Sequence, residues 1–186
     1  MDKYAALTAQ GRGAYLDALT NIGWFSLPHN DRAKTEEHIT GIDDSNYFFY
    51  VLAHITRDAE GFDNGREYKE LFEEIAALSS VKIVSADFEY HNEGFGIDEL
   101  TGTVVTENRT YECPLEELMG WLDSDFVDWF VNQEVLAGEN IEGRFFTLPA
   151  TDQMAQYSFM PQEMYDKAIA AGILPDDPEY FMRDFE

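Results

Sequence analysis

The side chains of this 186-residue sequence best suited to proton transfer or nucleophilic attack are four histidines, His29, His38, His54 and His91, and one cysteine, Cys113. No two histidines stand in HxH, HxxxH or HExxH spacing, so no zinc site is built locally, although distant histidines can meet in a fold. His54 sits in the apolar run from Tyr47 to Ile55 and reads as a packed helical histidine. His91, beside Asn92 and Glu93 near a strand end, is the better proton-transfer candidate, with a solvated strand end as the plainer reading. A reactive thiol needs a cationic neighbour, and the nearest in sequence to Cys113 is Arg109, so Cys113 reads as a small buried apolar residue. There is no GxxxxGK[ST] and no GxSxG, and GxG occurs only at Gly11–Gly13 and Gly94–Gly96, outside a strand-turn-helix context. No catalytic residue, metal ligand or cofactor is assigned.

Carboxylates are the one chemical group in excess. Asp and Glu number 37 against 12 Lys and Arg, a formal charge of −25. They are unevenly placed: residues 83–143 hold 15 acids and a single base, Arg109, a net −14. The segments at Glu93–Glu99 and Asp123–Asp128 do not match the calcium-loop pattern, so their clustering reads first as a solvated surface. Where successive elements bring them together, they form an acidic face for a partner. That face is assigned to Asp87, Glu89, Glu93, Asp98 and Glu99 from the strand region, and to Glu116, Glu117, Asp123, Asp125 and Asp128 from the segment after it.

The elements that must position these groups follow from periodicity. Tyr4 to Leu19 reads as helix, with Gly11 and Gly13 favouring two short pieces. Residues 23–44 mix turn formers with charge and read as a long connection. Asp43, Asp44 or Ser45 caps a helix through Tyr47, Phe48, Val51, Leu52 and Ile55, and another spans about Arg66 to Leu78. From Val81 the period becomes two. Val84, Ala86, Phe88 and Tyr90 alternate with polar residues, and Gly102–Thr106 and Arg109–Cys113 flank a Glu107–Asn108 link, predicting a three-strand antiparallel meander with Asn108 able to take positive φ. Pro114 is expected to open a helix through Leu115, Leu118, Met119 and Leu122, and Ser124 to cap one from about Asp125 to Leu136, ended by Gly138. Arg144–Leu148 and Met154–Met160 read as a hairpin extending the same sheet. A helix opened by Pro161 and stopped at Gly172 comes last, and the aromatics Tyr180, Phe181 and Phe185 of the acidic tail are expected to pack back. The fold class is α+β: an antiparallel sheet of about 4–5 strands, meander plus C-terminal hairpin, packed with several helices, within one domain over residues 1–186 and with Ser79–Ser80 as the best cut.

With 45% hydrophobic residues, 14 Phe, 10 Tyr and 3 Trp, such a chain can fill a core despite its charge. A negative field repels phosphate backbones and anionic lipid, which argues against direct nucleic-acid binding and a membrane surface. The lone cysteine and the absence of a basic, apolar N-terminal signal predict a cytoplasmic protein. In being small, acidic, cytoplasmic and free of catalytic motifs, the chain is similar in general character to bacterial immunity proteins that neutralise nuclease toxins. That likeness implies a non-catalytic inhibitor covering a basic protein partner, such as a nuclease toxin, and it carries over no residue. The alternatives are a carboxylate-rich enzyme or metal-binding domain around Asp87, Glu89, His91 and Asp98, a DNA mimic with long acid rows, and acidity serving solubility or a salty cytoplasm. Oligomeric state is not legible.

Overall fold

The computed structural model describes residues 2–92, 98–150 and 153–176. Asp2 opens α1 (Lys3–Thr8), its Oδ1 accepting the Tyr4 amide at 2.9 Å, and Gly11 at φ 90° separates α1 from α2 (Arg12–Asn21). The N-terminal stretch is therefore two short pieces. A 3₁₀ turn (Trp24–Ser26) and α3 (Arg32–Gly41) occupy the segment expected to be a connection. Asp31 starts α3 by accepting the Lys34 amide at 3.0 Å. Asp44 caps the next helix, which is 3₁₀ (Ser45–Leu52) and ends before Ile55, because Ile55–Asp58 is strand β1. Helix α4 (Gly65–Ser79) buries Tyr68, Leu71, Phe72 and Ile75 and ends at Ser80, which takes φ 63°.

Strands β2 (Ile83–Asn92), β3 (Asp98–Thr106) and β4 (Thr110–Leu118) form the expected antiparallel meander, in the order β2–β3–β4. Two corrections follow. The helix expected after Pro114 is the second half of β4, since Tyr111, Cys113 and Leu115 keep a period of two and are buried. Pro114 is tolerated because β4 is an edge strand, where its missing N–H leaves no ladder bond unmade. The hairpin of β5 (Gly143–Leu148) and β6 (Met154–Pro161) does not extend the meander; the second sheet has the order β1–β6–β5. The architecture is α+β with two three-stranded antiparallel sheets rather than one sheet of 4–5 strands.

Asp123 Oδ1 accepts the Asp125 amide at 2.7 Å and begins the next helix, the part Ser124 was expected to play. Its body, Phe126–Leu136, is a π-helix, and it closes at Asn140 (φ 57°) with the Ile141 amide donating to Leu136 at 2.9 Å. Gly138 serves packing there: a Cβ would collide with the Tyr111 ring. Helix α5 (Gln162–Ala171) follows Pro161 and stops at Gly172, φ 73°. The aromatic tail lies outside the described residues.

The described residues divide into two compact units. One comprises 2–54, 146–150 and 156–176, and the other 55–92, 98–145 and 153–155. The first is centred on Tyr4, Tyr15, Trp24, Ile39, Phe49, Met160 and Ile173. Its buried tyrosines are satisfied, with the Tyr15 hydroxyl donating to the Ile173 carbonyl at 2.7 Å and Tyr4 to Asn46 at 3.0 Å. The second packs α4 on the meander through an aromatic cluster. Phe88 lies 6.0 Å from Phe72, 5.6 Å from Phe126 and 6.2 Å from Phe130, centroid to centroid.

Candidate functional site

In the second unit one face of the meander is the core wall and the other is open. Period two sends Ala86 and Phe88 of β2, Leu100 and Val104 of β3, and Tyr111, Cys113 and Leu115 of β4 inward. The residues between them point out, and the register lines them up in rows. Asp87 stands opposite Thr103, which stands opposite Glu112; Glu89 stands opposite Thr101, then Pro114; His91 stands opposite Glu99. With strands about 4.8 Å apart and alternate residues about 7 Å apart along a strand, this is a compact grid of carboxylates bordering a threonine stripe. Thr103 donates to Glu112 at 3.2 Å, and the His91 Nε2 lies 3.1 Å from the Thr101 hydroxyl and 3.8 Å from Glu89. Lys69 reaches Asp87 at 3.4 Å with both side chains solvated, a contact worth little in water.

A bulge in β4 extends the grid. Leu115 pairs with Leu100 and Leu118 with Asp98, leaving Glu116 and Glu117 of β4 against Glu99 of β3, two residues against one, and Glu117 takes φ 61°. Both Glu116 and Glu117 are thereby exposed. Asp98 is a different case. It begins β3 on the inward parity of Leu100, is only 8% exposed, and accepts the Tyr90 hydroxyl at 2.7 Å. Burial and then this carboxylate push Tyr90 up to about 12. Asp98 therefore lies on the opposite sheet face from Asp87, Glu89 and His91, and the four do not converge. Glu99 and Asp123 are partly covered, Asp125 and Asp128 are exposed, and Glu93 lies outside the described residues. Partial burial of its carboxyl, then the charge of Asp125, raises Asp128.

Past β4 the chain is held by its backbone. Trp121 forms an isolated antiparallel bridge with Glu60; the Gly61 amide donates to Gly120 at 3.1 Å and the Leu122 amide to Ala59 at 2.8 Å. The Tyr68 hydroxyl donates to the Trp121 carbonyl at 3.4 Å. Met119 is 79% and Trp121 42% exposed. Neither was assigned to the acidic face from sequence: Met119 reads as part of a helix stripe, and Trp121, with Trp129, Tyr157 and Tyr165, reads mostly as core, one or two of the four being the alternative anchor for a partner. Glu112 was also left out, although its alternation with Tyr111 and Cys113 marks it as outward.

Cys113 is buried and its thiol is pushed up to about 12, by burial first and then by the negative charge of Asp123, so it is no nucleophile at neutral pH. In the first unit, His29, His38 and His54 line a cleft of about 140 Å³ with Trp24, Asn30 and Lys34. His54 Nδ1 accepts the Phe159 amide at 3.0 Å, which places the proton on Nε2, where it is donated to Asn30 Oδ1 at 2.6 Å. Burial, and then His29, lower its pKa to about 4. With both nitrogens engaged, His54 is a neutral structural link rather than a base. Among the described residues, no group of three or more His, Cys, Asp or Glu is arranged to hold a metal ion, and no helix is long and apolar enough to cross a membrane. Comparison with protein-family models, with curated proteins and with solved structures found no match.

Proposed function

We propose that this chain is a non-catalytic binding protein that captures a basic protein partner through the open face of the meander, in the manner of an inhibitor that shields the substrate groove of a nuclease toxin. The observation that carries the reading is the grid of Asp87, Glu89 and Glu112 on one exposed sheet face, with the exposed carboxylates of Glu116 and Glu117 in the adjoining bulge. Such a grid raises association rates with a cationic surface by orders of magnitude at low salt. Its rows across the strands hold one or two carboxylates each, which suits a local basic patch better than imitation of an extended duplex.

The test is association kinetics with the basic protein that co-purifies from the source cells. The association rate is expected to fall about tenfold or more between low and high salt, and to fall similarly when Asp87, Glu89, Glu112 and Glu116 are reversed to Lys. Association that ignores both salt and those reversals removes the acidic face from the mechanism. If the partner is a nuclease, equimolar addition of the chain abolishes its activity.

A further inference from the structure

We infer that Met119 and Trp121 are the apolar anchor of the docking site, taking a basic segment whose cationic side chains are interleaved with aliphatic ones; this rests on the proposed binding of a basic partner. Among the described residues four large apolar side chains are exposed, and Met119 and Trp121 are the two of them that lie within two residues of each other; Trp and Met are enriched at the centres of interfaces. Here they are also pre-positioned. They flank Gly120, which takes φ 74°, and the backbone on either side is held by the Gly61–Gly120, Ala59–Leu122 and Tyr68–Trp121 hydrogen bonds. Holding the backbone in place lowers the ordering cost of a contact made by side chains already in solvent.

The rim selects the occupant. Glu60 faces Trp121 across the bridge, the Asp63 side chain lies beside Gly120, and Glu117 and Asp123 bracket the pair along the chain. With −25 on each chain, a second copy brings its own acidic rim against this one, and nucleic acid and anionic lipid carry the same sign. A polypeptide with Lys or Arg beside Leu or Ile satisfies both parts: methylenes and aliphatic side chains cover Met119 and Trp121, and the cations meet the rim.

Two short synthetic peptides of equal length and charge, one alternating Lys with Leu and one Lys with Gly, separate the contributions. The Lys–Leu peptide is expected to bind about tenfold or more tighter than the Lys–Gly peptide, with a blue shift of tryptophan emission. Trp121→Ala is expected to erase most of that advantage while leaving Lys–Gly binding unchanged, and Met119→Ala to erase a smaller share; circular dichroism confirms that both variants are folded. Equal binding of the two peptides, or an advantage that survives both substitutions, overturns the anchor and leaves the acidic-face reading standing. If neither peptide binds at low salt, both readings are overturned. Sedimentation showing a dimer that Trp121→Ala dissolves also overturns the anchor, by assigning the patch to self-association.

Discussion

The Glu139 carboxylate accepts the Tyr111 hydroxyl at 2.7 Å, joining the end of the π-helix segment to strand β4. The same carboxylate accepts the Thr106 hydroxyl at 2.7 Å and the Asn108 amide group at 2.7 Å, while Thr106 Oγ1 accepts the Asn108 and Arg109 amides. One side chain thus clamps the β3–β4 turn, and the turn closes without Asn108 adopting positive φ. Burial alone would raise Glu139, but the three hydrogen bonds and the charge of Arg109 outweigh it and the net shift is downward. Glu139→Ala is expected to cost about 2 kcal/mol in urea unfolding. Because the folded value is depressed, the clamp stabilises above the ordinary carboxylate range and weakens as pH falls through the folded value; the variant lacks that acid-limb loss.

His54 adds a second loss on the acid side, beginning at higher pH. Its folded value of about 4 lies below the ordinary imidazole value, so the unfolded chain binds the extra proton between about pH 6.5 and 4 and stability falls across that window as pH drops. The loss reaches about 2 kcal/mol at pH 5. Acidification also relieves repulsion in so anionic a chain, so the measurement is the difference between wild type and His54→Ala in urea midpoints at pH 7 and pH 5. The wild type should lose the larger amount, and parallel losses would count against the neutral link.

Gly102 lies under the Phe88 ring in the centre of the meander, and a Cβ there would enter the ring and press on Cys113. Gly102→Ala is expected to destabilise by about 1–3 kcal/mol, since strand β3 and the aromatic cluster cannot both hold position. Chemical denaturation reads the loss, and near-ultraviolet circular dichroism reads the displaced ring.

Glu117 holds a left-handed backbone without being glycine. Glu117→Gly should therefore stabilise folding by about 1 kcal/mol while removing a carboxylate from the rim of the docking site. A gain in thermal midpoint together with slower association with the basic partner is the expected pair of results.

The elements legible in sequence are those whose buried residues obey one period. Helix α4 displays Tyr68, Leu71, Phe72 and Ile75 on one face, and α5 runs from a proline to a left-handed glycine. Helix α3 escaped because its fully buried positions are only Thr35 and Ile39, held between charges, and β1 because Ile55 alone is buried among its four residues. Leu115 and Leu118, three residues apart, satisfy helical spacing and break strand alternation, so the bulge at Glu116–Glu117 that buries both was invisible without the partner strand. The acidic grid was legible as a regional excess of charge, but facing depended on where β3 begins. Starting at Asp98 puts that carboxylate on the parity of Leu100 and Val104 and takes it off the open face.

Edge strand β4 presents Pro114, which cannot donate a ladder bond, followed directly by a bulge that breaks the register. An extended segment arriving at that edge finds no continuous template. Strand addition at this edge is thereby discouraged, for stray copies in a crowded cell as for any other extended segment, and the proposed partner would meet side chains there rather than a backbone ladder. Selectivity at such a surface can be retuned one substitution at a time, without disturbing any backbone pairing.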